Sequence, residues 1–454
     1  MEIIKSNRGR FNLVYNNFVY NLRNRNDIRC YWRCSESKCS VTVITQDINI
    51  VKEPTEHFHD KHFKKIEKIK SRDQMIEEIK KSPNLSIKQI FNNVRENRTL
   101  KLIENNEDIL IVPKFLNLKS SLYSKRKSTY PLIDKNNLII PSDYQLTLDK
   151  KSFLIHNDNN MIVFSSSTFL THLANSDRVY VDGTFSSVPR QFYQLFTIHI
   201  LINNNMFPAA YALLPDKKME TYLRLLAIIN QQIRLRLRLV FNPLHLHCDF
   251  ECAIIKAFTS FFPSINVHGC YFHYSQCLYR KIQNLGLKIC YEKNSEFRLL
   301  FKRCKALPLI SLGDLDEAWF LINELNTNED ERVDEFLFYI QSTWVNENAI
   351  FKRDSWNHFG NFGTRTTNHL EGFHNKLNSC FNHGSPNLFS LINQLRSFEL
   401  EFRIDLTHVL NGEKVHQKNN KYIKINENYM KYHHLYTNNQ IDLLNYIDSV
   451  SRIM

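Results

Sequence analysis

Segments typical of strands and helices alternate over the middle of the chain, and this order limits the fold more than any other feature. Five apolar runs are typical of strands, namely RVYVDGTF, QFYQLFTIHILI, FPAAYALL, LHLHCDF and INVHGCYF. Helical patterns follow two of them, one from Met219 to about Arg234 and one from Glu251. This order predicts a mixed α/β sheet flanked by helices. A largely helical stretch then follows over about 274–349.

Four residues near the N-terminus have the character of metal ligands. Short apolar runs separated by Asn, Asp and Ser turns predict a small β-rich domain over residues 1–62. Cys34 and Cys39 lie in this domain, and His57 and His59 follow. Two thiolates and two imidazoles satisfy a tetrahedral structural Zn²⁺, and residues i and i+2 of a strand point to the same side. His62 remains an alternative to either histidine.

The positive charge is concentrated in one segment. The 454 residues include 59 Lys and Arg against 46 Asp and Glu, a net charge of +13. Residues 61–130 hold 17 basic and 8 acidic residues, so they carry about +9 of that excess. Because basic surfaces attract polyanions, nucleic acid is the predicted partner, and a solvated basic linker is the alternative interpretation. No apolar run has the roughly 20 residues of a membrane span, so we expect an intracellular protein.

A basic helical segment is predicted over residues 63–140. Two helical patterns, IEKIKSRDQMIEEIKK and LSIKQIFNNVRENR, are separated by the breaker Ser82-Pro83-Asn84, and Ser86 is placed to cap the second helix. The pair resembles a helix-turn-helix, although any helical hairpin shows the same pattern. KSSLYSKRKSTYP then predicts a basic linker, in which Lys125, Arg126 and Lys127 are candidate DNA contacts.

Three acidic residues occur where metal-binding carboxylates are expected. Asp182 and Asp249 each come at the end of an apolar strand, and Glu371 lies in the helical pattern TTNHLEGFHNKL, on one face with Asn368 and Asn375. Three carboxylates from distant segments suit a two-metal site for Mg²⁺ or Mn²⁺. Any one of them alone is equally typical of a helix cap or a surface charge. Three further glutamates are conceivable substitutes for Glu371: Glu251, Glu399 and Glu401.

Two regions of the chain resemble known families. The first 60 residues are similar to a FLYWCH-type zinc finger, through Phe18, Tyr20, Tyr31-Trp32-Arg33-Cys34, Cys39 and His57-Phe58-His59. Residues 145–400 resemble a Mutator-like (MULE) transposase domain. The matching motifs are Val181-Asp182-Gly183-Thr184-Phe185, Gln191 to Leu195, Tyr211 to Pro215, Asp249-Phe250-Glu251, Cys270 to His273, and the Asn368, Glu371 and His374 block.

The second resemblance implies a fold and a site. It implies an RNase H-like fold with a helical insertion at about 274–349, and a catalytic metal-binding triad of Asp182, Asp249 and Glu371. Cys270 and His273 match a Cys-x2-His motif that the resemblance places near the active site and target DNA. Arg365 is a candidate phosphate ligand and Asn368 a candidate DNA-contacting or supporting residue.

These implications lead to one main hypothesis and one alternative. The main hypothesis is a nuclear DDE-type DNA transposase that acts as a homo-oligomer on double-stranded DNA, binding transposon ends and cleaving and joining strands. The alternative is a catalytically inactive, transposon-derived protein that binds DNA or regulates transcription. Residues 401–454 are predicted to form a polar tail.

Overall fold

The chain forms two compact units, residues 1–132 and 133–454, in this computed structural model. The described residues are 1–5, 11–47, 49–82, 85–104, 112–131, 138–363, 365–366, 368–381, 385–415 and 420–453. Pro83 and Asn84 of the predicted breaker lie outside these ranges, and so does the side chain of Asn368. Within these ranges, none of the helices is both long enough and apolar enough to span a membrane.

The first unit begins with a six-stranded antiparallel sheet whose strands follow one another in chain order. The strands are β1 (Glu2–Lys5), β2 (Phe11–Tyr15), β3 (Phe18–Arg25), β4 (Arg29–Cys34), β5 (Thr42–Gln46) and β6 (Asn49–Lys52). Asn16 and Asn17 connect β2 to β3 with φ angles of 48° and 65°, a conformation that asparagine adopts more readily than most residues. Trp32 is buried in this sheet and donates its indole N–H to Thr45 Oγ1 at 2.9 Å. The predicted β-rich domain is therefore confirmed.

Three helices complete the first unit: α1 (Phe63–Lys81), α2 (Ile87–Glu104) and α3 (Phe115–Thr129). Ser86 caps α2 as predicted, because its Oγ accepts the backbone N–H of Gln89 at 3.1 Å and Gln89 Oε1 accepts the N–H of Ser86 at 2.9 Å. Ile66 of α1 packs with Val14 and Val19 of the sheet. The six-stranded sheet and these helices therefore belong to the same compact unit.

Helix α3 corrects one prediction. The sequence predicts a basic linker at residues 119–131, but most of this segment is helical. Leu118 and Leu122 are buried with Ile90 and Phe91 of α2, so an apolar stripe at helical spacing outweighs the basic composition. The segment is part of the folded unit.

The second unit is built on a seven-stranded mixed sheet with the order β13-β12-β9-β10-β11-β8-β7. Its strands are β7 (Leu154–Asn157), β8 (Ile162–Phe164), β9 (Arg178–Thr184), β10 (Gln194–Ile202), β11 (Asn205–Leu214), β12 (His245–Cys248) and β13 (Asn266–Gly269). β12 pairs in parallel with both β9 and β13, and the other pairs are antiparallel. The predicted mixed α/β sheet is therefore present.

Helices cover both faces of this sheet. Alternate residues such as Val179 and Val181 of β9 pack in one core with α4 (Ser167–Ala174), α5 (Met219–Leu237) and α6 (Cys252–Phe261). The opposite face carries Asp182, His199 and Tyr211. There Phe373 of α13 (Asn368–Ser379) contacts the rings of His199 and Tyr211. α14 (Leu388–Leu410) packs beside α13, where Phe398 meets Phe373. Asp182 therefore lies on the sheet face that α13 covers.

A second core is almost entirely helical. Its first helices are α7 (Tyr271–Asn284), α8 (Lys288–Lys293), α9 (Ser295–Ala306), α10 (Leu315–Glu324), α11 (Glu331–Ile340) and α12 (Arg353–Trp356), with a π-helical turn at Gln341–Val345. Trp344 and Trp356 are buried at its centre and contact Tyr274. This region coincides with the helical stretch predicted at about 274–349.

The C-terminal segment differs from its prediction. The sequence predicts a polar tail over 401–454, but these residues hold the end of α14 and two more helices, α15 (Asn420–Thr437) and α16 (Leu443–Ile453). Tyr429, Tyr446, Ile447 and Val450 are buried in the helical core. Tyrosine rings supply the apolar area, and the Tyr446 hydroxyl donates to the carbonyl of Leu309 at 2.9 Å. The segment is therefore an integral part of the second unit.

Candidate functional site

Four side chains of the first unit form a compact metal-ligand set. The ligand atoms of Cys34, Cys39, His57 and His59 all lie within 4.8 Å of one another. Cys34 Sγ is 3.3 Å from His59 Nε2, Cys39 Sγ is 3.4 Å from His57 Nδ1, and those two nitrogens are 3.1 Å apart. Zn–S bonds of about 2.3 Å and Zn–N bonds of about 2.0 Å place tetrahedral S and N ligands about 3.5 Å apart. The four residues therefore fit a structural zinc ion.

Neighbouring groups orient the two imidazoles. Tyr20 OH lies 2.8 Å from His57 Nε2, and Phe18 stacks on the His57 ring with 3.8 Å between centroids. His59 Nδ1 lies 2.9 Å from the carbonyl oxygen of Asp60, to which it can donate. Each histidine thus directs one nitrogen at the ligand set while the other has a hydrogen-bond partner. Contacts of this kind fix the tautomer of a metal-bound histidine.

His62, the alternative ligand, lies outside the set. Its Nδ1 accepts the backbone N–H of Val19 at 3.0 Å, and its Nε2 lies 3.9 Å from a carboxylate oxygen of Glu36. Its ring stacks on His59 with 4.9 Å between centroids. His62 therefore supports the site from outside.

Asp182 and Asp249 lie at the same level of two neighbouring parallel strands. His247 of β12 pairs with Tyr180 of β9, and each aspartate comes two residues later. Asp182 Oδ1 accepts the backbone N–H of Gly183 at 2.8 Å, and Asp249 Oδ1 accepts that of Glu251 at 3.2 Å. The two predicted acids therefore meet at the carboxyl ends of adjacent strands, where α/β proteins bind ligands.

The close packing of β13 helps to hold Asp249. The ring of Phe250, the next residue, lies so near Gly269 that a Cβ there would be 2.3 Å from it. Phe250 also contacts Trp344 edge to face, with 4.6 Å between centroids. Only glycine at position 269 allows this packing, which anchors the chain immediately after Asp249.

Glu371 approaches the same region from α13. Its Oε1 lies 3.7 Å from Nε2 of His273, which belongs to α7. One turn later on α13, His374 Nδ1 lies 3.3 Å from Asp182 Oδ2. The structure thus brings residues from β9, the end of β12, α7 and α13 to one place. In the described part of the chain, the three acids do not converge as tightly as the zinc ligands do.

Burial and neighbouring charges shift the pKa values of several groups in this acidic cluster. Burial raises the pKa of Asp249 to about 6, and the charge of Asp182 adds to the effect. Burial also raises the pKa of Glu371. Burial lowers the pKa of His273, but its hydrogen bond to Cys270 and the charges of Asp249 and Asp182 outweigh it and bring it to about 9. The neighbouring carboxylates therefore favour the protonated form of the His273 imidazole.

The conceivable substitutes for Glu371 have other partners. Both oxygens of Glu251 are engaged, one by Lys217 Nζ and one by Tyr222 OH, each at 2.8 Å. Glu399 is buried beside Arg403, and Glu401 pairs with Lys376 on α13. Glu371 instead lies near His273, the histidine on which the charges of Asp249 and Asp182 act.

Cys270 is buried at the start of α7, and its backbone N–H donates to the carbonyl of Cys248 at 2.9 Å. The cysteine thereby continues the pairing of β12 and β13 and fixes where α7 begins. His273 lies one turn along that helix. Within the described ranges, the Cys270 and His273 pair is not part of a larger set of metal ligands.

The remaining predicted contacts lie in different surroundings. The Arg365 guanidinium packs over the Tyr429 ring at 4.6 Å and donates to the carbonyl of Asn361 at 3.0 Å, so it faces the helical core. Asn368 begins α13. Lys125 and Lys127 are exposed on α3, and Arg126 is partly buried.

His374 is a site residue to which the sequence assigns no role. It follows Glu371 by three residues, the spacing that places two side chains on neighbouring parts of a helix face. Its contact with Asp182 depends on how α13 packs against β9, which the sequence does not reveal.

Two regions of the chain match models of known protein families. The model of the FLYWCH zinc finger domain matches residues 3–59, and that of the MULE transposase domain matches residues 178–277. The second range includes Asp182, Asp249, Cys270 and His273 and ends before Glu371. No curated protein matches the chain.

Two regions of the chain thus match known domain families. The chain carries a FLYWCH zinc finger domain followed by a MULE transposase domain, as its sequence resemblance predicts. These domains support a transposase-like function and DNA binding. The Cys34, Cys39, His57 and His59 cluster supports a structural zinc.

Proposed function

We propose that the protein is a DDE-type DNA transposase of the Mutator-like class, with Asp182, Asp249 and Glu371 as its catalytic acids. The observation that carries this proposal is the placement of Asp182 and Asp249 at one level of the parallel strands β9 and β12. Glu371 comes from α13, whose His374 contacts Asp182. Two of the carboxylates thus follow neighbouring parallel strands, and the third comes from a helix that contacts the first of those strands.

We propose further that the second unit has an RNase H-like fold. Its central strands run in the order β11-β10-β9-β12-β13, with β10 antiparallel to its neighbours and β12 and β13 parallel to β9. Helices on both faces and a helical region between Asp249 and Glu371 are in keeping with this proposal.

The residues present fit divalent cations. Carboxylate oxygens are the ligands that Mg²⁺ and Mn²⁺ prefer, and the raised pKa of Asp249 reflects a charge that a bound cation would compensate. When bound, such ions activate the attacking oxygen and stabilise the leaving one. The chain itself positions Asp182 through Gly183 and His374, and it offers the N–H donor of His273 beside Glu371.

The reaction would proceed in two phosphoryl transfers. In the first, water attacks a phosphodiester at the transposon end, the P–O3′ bond breaks, and the leaving oxygen takes a proton to become a free 3′ hydroxyl. In the second, that hydroxyl attacks a target phosphodiester, which forms one new bond and releases one target 3′ hydroxyl. Positioning and charge stabilisation govern both steps.

We assign recognition of double-stranded DNA at the transposon ends to the first unit. Its zinc finger is followed by the basic helices, and Lys125 and Lys127 are exposed on α3. We propose that the protein acts in the nucleus as a homo-oligomer, because joining paired ends requires two sites on one DNA complex. Binding through phosphate contacts should weaken steeply as salt concentration rises.

An excision assay in cells tests the proposal. A reporter gene is interrupted by the DNA that flanks this gene, and the wild-type protein is compared with Asp182→Asn, which retains shape but removes a charge. Asp177→Asn is a matched control, because Asp177 is exposed just before the same strand. We expect excision by the wild type and by Asp177→Asn, and none by Asp182→Asn.

The other outcomes are equally informative. Absence of excision by folded, DNA-bound wild type would overturn the catalytic proposal and favour the inactive DNA-binding alternative. Excision that persists in Asp182→Asn would remove Asp182 from the catalytic set.

A further inference from the structure

Two exposed aromatic rings stand beside the acidic cluster. Phe185 directly follows β9, and Tyr193 directly precedes β10. Their side chains are 49% and 53% exposed, and their ring centroids are 5.4 Å apart at an angle of 64°. A single exposed aromatic residue needs no explanation, but two in mutual contact form an apolar patch that water solvates poorly. Both rings lie in motifs that resemble the transposase family, but no role is predicted for either of them.

A lysine connects this pair to the acids. Lys217 Nζ lies 4.4 Å from the centroid of the Phe185 ring and 2.8 Å from Glu251 Oε2. Glu251 follows Asp249 by two residues, and Phe185 follows Asp182 by three. Three residues span at most about 10 Å, which is the length of a few nucleotides along one DNA strand. A strand held at the acids would therefore bring a nearby base within reach of the aromatic pair.

The connection that carries the two rings is held at several points. Ser187 Oγ donates to Asn378 Oδ1 of α13 at 2.6 Å, and the backbone N–H of Tyr193 donates to the carbonyl of Leu214 at 2.8 Å. Val188 and Phe192 are buried. Since the backbone is anchored on both sides of the patch, the exposure of Phe185 and Tyr193 is a property of the folded unit.

We propose that Phe185 and Tyr193 form a stacking platform for an unpaired nucleobase of the DNA strand held at the acidic cluster. This inference rests on the proposed function and names how that site would hold its substrate. Aromatic side chains stack on the faces of unpaired bases regardless of sequence. Exposed Arg190, in the same connection, supplies positive charge suited to the adjoining phosphate. Bases inside a duplex are already stacked, so the platform favours unpaired ends or distorted junctions.

The strength of stacking on Phe185 and Tyr193 can be measured as the protein's preference for DNA with an unpaired overhang. Affinity is determined for a blunt duplex and for the same duplex with a four-nucleotide overhang, with Mg²⁺ withheld so that no strand is cut. Because the duplex part is identical in both probes, the ratio of the two affinities isolates the contribution of the overhang. We expect the wild type to prefer the overhang, and Phe185→Ala or Tyr193→Ala to reduce that preference by about 5- to 150-fold.

Three further variants separate stacking from folding. Phe185→Leu retains apolar volume without an aromatic face, so it should lose the preference, whereas Tyr193→Phe should retain it. Phe338→Ala removes a 70% exposed ring on α11 and should match the wild type. In addition, 5-iodouracil in the overhang should photocrosslink to Phe185 or Tyr193 in the wild type.

The results distinguish failure of the platform from failure of the proposed function. If the wild type excises DNA but all variants show the same overhang preference and the crosslink maps elsewhere, the platform is overturned and the transposase proposal stands. If the wild type neither binds nor cuts DNA, both proposals fall together.

Discussion

His374 Nδ1 lies 3.3 Å from Asp182 Oδ2, and the other ring nitrogen of His374 lies 3.3 Å from Thr197 Oγ1 on the neighbouring strand. The imidazole is buried between α13 and the sheet. Because Gly183 donates to the other oxygen of Asp182, both carboxylate oxygens are held before any cation arrives. The same helix carries Glu371. The contact between His374 and Asp182 therefore helps to position two of the three acids.

Replacing His374 should therefore impair DNA cleavage without abolishing it. We expect His374→Ala to lower the cleavage rate or the apparent Mg²⁺ affinity by about 10- to 100-fold, since residues that orient metal ligands usually contribute that much. Titrating Mg²⁺ in a cleavage assay on supercoiled DNA measures both quantities. Ser379→Ala, at the exposed end of the same helix, should behave as the wild type. Equal Mg²⁺ titrations for His374→Ala and the wild type would contradict the positioning role.

Zinc content is expected to depend on the four clustered residues and on no neighbouring cysteine. Cys39→Ser or His57→Ala should abolish zinc binding by the first unit and destabilise it, because a small β-rich unit gains much of its folding free energy from a structural metal. Zinc per chain, measured by atomic emission, and thermal melting followed by circular dichroism test this.

Two controls make the zinc experiment specific. Cys30→Ser changes a nearby cysteine on β4 that lies outside the ligand set, so it should retain one zinc per chain. His62→Ala should also retain zinc, because the Nδ1 of His62 accepts the N–H of Val19. If His62→Ala lost zinc and His59→Ala retained it, then His62 would be the zinc ligand in place of His59.

The parts of the structure that follow from local patterns could be predicted, and those that depend on distant partners could not. The spacing of Cys34 and Cys39 and the capping of α2 by Ser86 act within a few residues, so the sequence reveals them. The burial of Tyr429 depends on residues about 70 positions away, and its tyrosine-rich helix is polar enough to be taken for a tail. The contact of His374 with Asp182 likewise requires the packing of α13 on β9.

Removing the charge of Asp249 should stabilise the protein when no Mg²⁺ is bound. The pKa of Asp249 in the folded state is about 6, above the roughly 3.9 of an unfolded aspartate. The stabilisation contributed by protonated Asp249 is therefore fully present below about pH 4 and is lost as pH rises through about 6. At pH 7 we expect Asp249→Asn to raise the free energy of unfolding by roughly 1–3 kcal/mol.

Denaturant unfolding of zinc-loaded protein, without added Mg²⁺, checks this at pH 5 and pH 7. The stability advantage of Asp249→Asn over the wild type should increase as pH rises. Added Mg²⁺ should stabilise the wild type alone, because a ligand that binds only the folded state shifts the folding equilibrium toward it. A variant that is less stable than the wild type at pH 7 would show that Asp249 is satisfied in the metal-free fold.

Helix α15 should support the segment that precedes Glu371. The buried Tyr429 hydroxyl accepts the N–H of Gly360 and donates to the carbonyl of His358, both at 3.1 Å, and its ring lies under Arg365. Tyr429→Phe removes both hydrogen bonds and should lower stability by about 1–3 kcal/mol. Because Phe retains the ring, cleavage per folded molecule should be unchanged, whereas Tyr429→Ala should lower it as well.

Thermal melting and cleavage assays on the same samples separate these two effects. Tyr422→Phe is the matched control, since that tyrosine is 57% exposed on the same helix and its replacement should change neither quantity. If Tyr429→Ala melted earlier yet cleaved DNA at the wild-type rate when folded, α15 would stabilise the unit without positioning Glu371. The backbone carbonyl of Arg365 accepts the N–H of Tyr271, the first residue of α7, at 3.0 Å. We therefore expect Tyr429→Ala to disturb both α7 and α13.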